Sequence, residues 1–332
     1  MDVASFFRQS RVLVVAGKGG VGKTTVTAAL AHAAAGAGLS VLVVELEGKT
    51  GVPAAFGRAE ALDYEETVLA EGPGVVRARR ITPDDALLEY LADHGMKRIS
   101  KRLVSSGALD VVATAIPGIR DILVLGKVKS LERDGSSDLI LVDAPATGHA
   151  MTFLSSAQGL LDAARSGPVR TQAADVVELL TDPARLQVAL VTLAEEMPIN
   201  EVVEAAYTLE DRIGVSLGPV VVTGCLPKEQ GLGRDPQEAA HAVGIQLDSE
   251  TAAALGRAAE FHQHRLGLQE EQLARLAEEL PLPQLRTRLL YDEAVGPDQL
   301  ELLGADLSAG IEQLADEHPT IVHQRRASGS EA

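Results

Sequence analysis

The sequence contains one cysteine, no tryptophan and few aromatic residues of any kind, 3% in total. A single thiol, Cys225, can form no disulfide within the chain and cannot by itself build a cysteine-based zinc site. The core must therefore come from Ala, Leu and Val, which is feasible because 46% of the 332 residues are hydrophobic. These absences favour a reduced, cytoplasmic globular protein.

Long apolar runs are also missing. No stretch reaches about 18 apolar residues, so the sequence predicts no transmembrane segment, and residues 1–11 hold no apolar stretch of signal-peptide length. Basic residues are outnumbered, since 30 Lys and Arg face 47 Asp and Glu and give a formal charge of −17. A surface this negative repels phosphate backbones and anionic lipid, which argues against nucleic acid as a partner.

Short apolar runs rich in β-branched residues recur along the chain and are typical of parallel strands covered on both faces. Helical patterns lie between them, and this alternation predicts an α/β fold with a doubly wound, mostly parallel sheet. Two stretches with little strand signal, about 84–133 and 151–181, are interpreted as an inserted helical subdomain. We expect one domain over 1–322 and a flexible tail at 323–332. The predicted strands are 11–16, 41–45, 75–78, 139–142, 187–193 and 219–223, with a late strand at 289–291.

The segment after the first predicted strand fits the pattern G-x-x-x-x-G-K-[ST] at every position and leads into a predicted helix. Glycines let backbone N–H groups surround a phosphate, and the helix N-terminus adds its positive end. The motif predicts a P-loop for ATP, in which Lys23 bridges the β- and γ-phosphates, Thr24 ligates Mg²⁺ and Thr25 reaches the α-phosphate. The predicted nucleotide-binding residues of the loop are Gly17, Lys18, Gly19, Gly20, Val21, Gly22, Lys23, Thr24 and Thr25.

Lys18 gives this loop a deviant form. Lys23 already serves the phosphates of its own loop, so the earlier lysine is available for another role. In deviant-loop ATPases the equivalent lysine reaches the nucleotide of the facing subunit, as an intermolecular counterpart of the arginine finger. Because we find no second phosphate loop, the sequence predicts a dimer with a second copy or with a related subunit.

Two further segments are expected to face the phosphates, since they follow predicted strands at the same edge of the sheet. Asp143 ends an apolar strand and is the predicted carboxylate of the Mg²⁺ site, and Gly148 is expected to offer its N–H to the γ-phosphate within a switch segment. After the second strand, Glu47 is the candidate that orients the attacking water, with Glu45 as an alternative. We interpret His149 as a polar residue at a helix start.

These residues together resemble the ArsA/GET family of deviant P-loop ATPases, and in particular its bacterial, actinobacterial-type branch. The resemblance rests on Gly17 to Thr25 and on Asp143 to His149 (DAPATGH), and it covers about residues 10–315. It implies a dimeric ATPase whose helical layers close together when ATP is bound. It also puts Glu47 where relatives have a catalytic Asp, and Thr223 where they usually have an Asn that reads the adenine.

The cargo of such an ATPase follows less directly from the residues. Arsenite binding in relatives uses several thiols, so the single Cys225 disfavours an arsenite or anion efflux pump. Targeting factors of the family use a Met-rich groove and often paired Cys-x-x-Cys motifs, whereas this chain has four Met residues and no such motif. Candidate positions for a cargo surface, where core packing is the competing interpretation, are Val104, Leu109, Val111, Val112, Ile116 and Ile122.

Three function classes stay open at this point. The leading hypothesis is a Mg²⁺-dependent ATPase that drives a dimeric conformational switch and handles or targets a protein or hydrophobic cargo. A non-catalytic ATP-binding subunit that pairs with a paralogue is the second, because Glu47 departs from the family's Asp. A metabolic ATPase or ligase is the third, although no acid–base or thiol constellation outside the nucleotide site supports it.

Overall fold

The computed structural model of the chain describes residues 1–46, 51–93 and 118–314. Within these residues the strands form one sheet in the order β3-β4-β2-β5-β1-β6-β7-β8, and of its pairs only β3–β4 is antiparallel. The predicted doubly wound, mostly parallel sheet is therefore confirmed. The strands are β1 Val12–Gly17, β2 Ser40–Leu46, β3 Thr67–Glu71, β4 Val75–Ile81, β5 Leu139–Ala146, β6 Leu186–Leu193, β7 Ser216–Cys225 and β8 Gln284–Arg288.

Helices cover both faces of the sheet. The longest in the described part of the chain, α10, begins after Asp248, whose side chain accepts a hydrogen bond from the Thr251 N–H and so caps the helix. A π-helical turn, Leu209–Ile213, extends α8. The helices are α1 Val3–Phe7, α2 Lys23–Gly36, α3 Val52–Ala55, α4 Pro83–Asp93, α5 Ile119–Asp134, α6 Thr147–Ala163, α7 Pro168–Thr181, α8 Glu196–Thr208, α9 Pro236–Ala242, α10 Ser249–Glu279 and α11 Pro297–Glu312.

The core consists of two apolar layers, one on each face of the sheet, because successive strand side chains point to opposite faces. In β1, Val12 and Val14 enter the layer formed with α5, α6, α7 and α8, whereas Leu13 and Val15 enter the layer formed with α2 and α11. All residues of β1 are buried, as expected for a central strand covered on both faces. The strand that leads into the phosphate loop is thus packed by an apolar layer on each face of the sheet.

The predicted helical stretches contain α4, α5, α6 and α7 in the part of the chain that the structure describes. Ile122, one of the candidate cargo positions, is buried in the core layer on this face of the sheet. The other five candidates lie outside the described residues. The single-domain extent of 1–322 stays a prediction, since 315–332, including the predicted tail, also lies outside them. None of the described helices has the length and hydropathy that a bilayer crossing requires.

At the two edges of the sheet, one predicted strand needs correction and one strand was not predicted. The late strand is not at 289–291 but at Gln284–Arg288, where Leu285 and Thr287 alternate inward and Tyr291 lies beyond, 77% exposed. Thr67–Glu71 forms an antiparallel edge strand that the sequence analysis missed. Both are edge strands with only one covered face or few buried positions, so neither shows the continuous apolar run used to recognise a strand.

Candidate nucleotide site

The predicted phosphate loop connects the end of β1 to the start of α2, at the centre of the sheet. Its first residue, Gly17, approaches β6 so closely that a Cβ there would lie 2.3 Å from the Val191 carbonyl oxygen. Its last glycine, Gly22, is the N-cap residue of α2 and has φ +85°, a left-handed conformation that favours glycine. The glycine pattern therefore meets local steric needs at both ends of the loop.

The start of α2 presents the groups that bind a phosphate. The amide groups of Lys23, Thr24 and Thr25 belong to the first turn, where no acceptor exists within the helix and the helix dipole is positive. Lys23 is buried, at 8% exposure, and its Nζ donates to the Lys18 carbonyl oxygen at 2.6 Å. The Lys23 ammonium thus spans the concave side of its own loop, where a bound phosphate would meet it.

Thr24 and Asp143, the two predicted Mg²⁺ ligands, are brought together. The Thr24 Oγ1 donates to Asp143 Oδ2 at 2.7 Å, although 119 residues separate them in sequence. Asp143 is fully buried on β5, opposite Val15 of β1 and Glu45 of β2. A hydroxyl and a carboxylate oxygen side by side at a phosphate loop are the oxygen donors that Mg²⁺ prefers. These residues fit a Mg²⁺ ion held jointly by the protein and the nucleotide.

Gly148, the predicted sensor of the γ-phosphate, lies exposed in the first turn of α6. The helix follows directly on β5, and its N-cap residue is Ala146, whose methyl side chain cannot cap the open amide groups. Gly148 and Gly19 both line a cleft of about 400 Å³, so this helix start faces the phosphate loop. His149 is exposed in the same turn, as expected for a polar residue at a helix start.

Glu47, the predicted water-orienting residue, lies outside the described residues. Its alternative, Glu45, is fully buried, and its Oε1 accepts a hydrogen bond from the Val52 N–H at 2.8 Å. Glu45 therefore holds the N-terminus of α3. Gly51, the N-cap residue of α3, packs closely against the phosphate-loop helix: a Cβ at this position would lie 2.7 Å from the Thr24 Cγ2.

Thr223 lies at the end of β7 and contacts the phosphate loop from the side. Its hydroxyl lies 2.9 Å from the Val21 carbonyl oxygen and 3.3 Å from that of Thr192. Both contacts are to backbone acceptors, so the described role of this side chain is to tie the loop to β6 and β7. A role in reading the adenine stays a prediction.

Cys225, two residues after Thr223, is half-buried, and burial raises the pKa of its thiol. The thiol is thus kept neutral and poorly nucleophilic at physiological pH. No group of three or more His, Cys, Asp or Glu side chains suited to a metal ion occurs in the described residues. The soft-metal chemistry of a thiol cluster therefore finds no support in this part of the chain, whereas Mg²⁺ needs few protein ligands.

Lys18 points away from its own loop. Its side chain is 45% exposed, and its Nζ forms an ion pair with Glu201 of α8. Both residues line the cleft of about 400 Å³, together with Glu204 from the next turn of the same helix. Sequence analysis missed Glu201 because the contact joins residues 183 positions apart, and no local pattern marks a helix glutamate as a partner of a loop lysine.

Comparison with known protein families gives a match over the region just described. A model of the family described as anion-transporting ATPases matches residues 10–165, which include the phosphate loop, Asp143 and Gly148. ATPase BagA of Mycobacterium tuberculosis is 36% identical over 260 residues, which cover 74% of this chain and 72% of that protein.

More distant relatives are similar over different lengths. A protein of Halobacterium salinarum, provisionally named an arsenical pump-driving ATPase, is 27% identical over 322 residues, or 90% of this chain and 45% of its own length. ATPase get3 of Neurospora crassa is 30% identical over 148 residues, or 44% of this chain and 43% of its own. The similarity to get3 thus covers less than half of either protein.

Proposed function

Since this chain belongs to the ArsA family of ATPases and is itself an ATPase, we propose that it hydrolyses Mg²⁺-bound ATP as a dimer that switches conformation. In this proposal Lys23, Thr24 and Thr25 bind the phosphates, and Asp143 and Thr24 hold the metal ion. Gly148 senses the γ-phosphate, and Glu47 orients the attacking water. The metal, when bound, neutralises charge that develops on the phosphates.

The dimer is supported by one observation, the different placement of the two lysines. Lys23 Nζ lies across its own loop, 2.6 Å from the Lys18 carbonyl oxygen, whereas the Lys18 side chain is 45% exposed and directed at α8. A lysine outside its own loop is available to a phosphate of the facing subunit. The facing subunit is a second copy of this chain or a related one.

We extend the proposal to a protein or hydrophobic cargo, handled in a cytoplasmic setting where ATP is present. Support comes from the hairpin of α9 and α10, which carries large exposed apolar side chains. Phe261 is 67% exposed, Val243 71% and Ile245 56%. Large exposed apolar side chains within one segment of the chain favour an interaction surface. The identity of the cargo is left to experiment.

Mixing two inactive variants tests the exchange of lysines between subunits. Lys18→Ala keeps its own phosphate loop and lacks the reaching lysine, and its ATPase activity should fall on the order of 10²–10⁴-fold. Lys23→Ala lacks its own phosphate ligand and keeps Lys18. In an equal mixture half of the dimers are mixed and one of their two sites is complete, so up to about a quarter of the wild-type activity should return.

Each variant alone is the control for the mixture, and each must keep the wild-type thermal unfolding midpoint. Activity of the mixture equal to the mean of the two separate variants would refute the exchange. Full activity of Lys18→Ala alone would refute a trans-acting role for this lysine.

A further inference from the structure

The ion pair between Lys18 and Glu201 connects the phosphate loop to a helix that has no part in the loop motif. The Lys18 side chain is 45% exposed and that of Glu201 is 33% exposed, so the pair lies at the mouth of the cleft and not in the core. Lys18 cannot keep this contact and also extend to a phosphate in another subunit. The pair therefore competes with the reach across the dimer.

Glu201 is the fixed member of the pair because α8 is packed against the core and hydrogen-bonded to α10. Ile199 and Val202 of α8 are buried in the core. The Arg275 side chain of α10 donates to the Asn200 side chain, and the Tyr207 hydroxyl donates to the Glu279 carbonyl oxygen at 3.1 Å. Lys18, in contrast, extends from a glycine-rich loop. Breaking the pair is thus a movement of Lys18.

We propose that Glu201 is a positioning residue that retains Lys18 within its own subunit, so that dimer assembly on ATP must first release the lysine. This inference rests on the proposed function, in which Lys18 acts on the nucleotide of the facing subunit. Glu201 sets the protein concentration at which subunits assemble, and it takes no part in the chemistry of the assembled dimer. The competing partner for Lys18 is the negatively charged γ-phosphate of the nucleotide in the facing subunit.

The size of the effect follows from the exposure of the pair. A half-exposed ion pair is screened by water and salt, and its removal changes an equilibrium by about twofold to fivefold. Each dimer releases two such pairs, so the effect on assembly is at most the square of that factor, roughly 25-fold. Salt screens the pair, so the effect should shrink as ionic strength rises from about 0.05 M to 0.5 M.

The experiment measures specific ATPase activity against protein concentration, in full-length protein with ATP and Mg²⁺. Glu201→Gln keeps the shape of the side chain and removes its charge. It should lower the protein concentration that gives half-maximal specific activity by about twofold to 25-fold, and leave the activity at saturating protein unchanged. Glu204→Gln is the matched control, because Glu204 lies on the same helix and cleft and makes no ion pair with any described residue. Glu201→Asp should return the half-maximal concentration toward the wild-type value.

A double-mutant measurement assigns the effect to Lys18. Dimer mass is followed with a non-hydrolysable ATP analogue for Lys18→Ala with and without Glu201→Gln. Glu201→Gln should not change the assembly of the Lys18→Ala protein, since the lysine that it retains is gone.

The outcomes separate this inference from the proposed function. If Lys18→Ala abolishes activity but Glu201→Gln has the half-maximal concentration of wild type, the retaining role is refuted and the trans-acting lysine stands. If Glu201→Gln lowers activity at saturating protein, Glu201 assists Lys18 in the dimer and the inference is also overturned. If Lys18→Ala is fully active, both fail together.

Discussion

The hydrogen bond from Thr223 to the phosphate loop distinguishes two roles for this residue. Thr223→Val preserves the side-chain shape and removes the hydroxyl, which lies 2.9 Å from the Val21 carbonyl oxygen. Loss of one neutral hydrogen bond costs about 0.5–1.5 kcal/mol. Because this bond already exists without nucleotide, its loss lowers affinity only as far as the loosened loop must be re-ordered on binding, so the expected loss is at most about 12-fold. If the hydroxyl only ties down the loop, ATP and GTP should lose affinity by the same factor.

The assay is calorimetric binding of ATP and GTP, with Mg²⁺ present, to wild type and Thr223→Val. Thr181→Val is a matched control, because the Thr181 hydroxyl also lies 2.9 Å from a carbonyl oxygen, that of Val177 in α7. Thr181 precedes β6, on the side of the sheet where the parallel strands begin, whereas the phosphate loop lies where they end. The Thr181→Val variant should therefore bind both nucleotides as wild type does. A change in the ratio of ATP to GTP affinity in Thr223→Val would refute loop support and favour adenine reading.

Two further predictions concern the loop's backbone and the proposed cargo surface. Gly17→Ala should lower the thermal unfolding midpoint, at a cost of about 1–3 kcal/mol, because the added Cβ would meet the Val191 carbonyl oxygen. Gly19→Ala is the control and should unfold as wild type does, because a Cβ at Gly19 meets nothing within 4 Å. Equal midpoints for the two variants would contradict the close approach at Gly17. Phe261→Ser should weaken the binding of a fluorescent apolar helical peptide, measured by anisotropy with ATP. Tyr291→Ser, which changes an even more exposed aromatic residue outside the hairpin, should not. Equal binding by both variants would exclude the hairpin as a cargo surface.

The central sheet and the loop were predictable because the physical signals are local and strong. Strands buried on both faces require uninterrupted apolar residues, and residues 12–16 and 139–142 have nothing else. A phosphate loop requires small residues at fixed spacing after a strand, and residues 17–24 have that spacing. Asp143 and Thr24 were both predicted as Mg²⁺ ligands because each follows a strand at the same edge of the sheet, and the structure places them side by side.

The contacts made at a distance were not predictable in the same way. Glu201 is one of many helix glutamates, and its pairing with Lys18 depends on how α8 packs against β6 and α10. Thr223 was singled out by the family resemblance, as the position where relatives usually have an adenine-reading Asn, but the acceptor of its hydroxyl follows from the path of the loop backbone. Edge strands such as β3, with mostly exposed residues, offer too weak an apolar pattern to be recognised.

The order of the strands also has a consequence for the synthesis of the chain. β1 lies between β5 and β6, so it has no hydrogen-bonded neighbour until β5 has left the ribosome. From Gly17 to Leu139 the chain must grow by 122 residues (139 − 17), which takes about 6–24 s at the usual rate of translation. During that interval β1, a fully apolar strand, has neither of its neighbouring strands to pair with, and the phosphate loop that follows it is not yet formed. The nascent chain therefore exposes this apolar strand for longer than a fold with adjacent strand pairing would, and Asp143 of the proposed metal site is synthesised only late in the second quarter of the sequence.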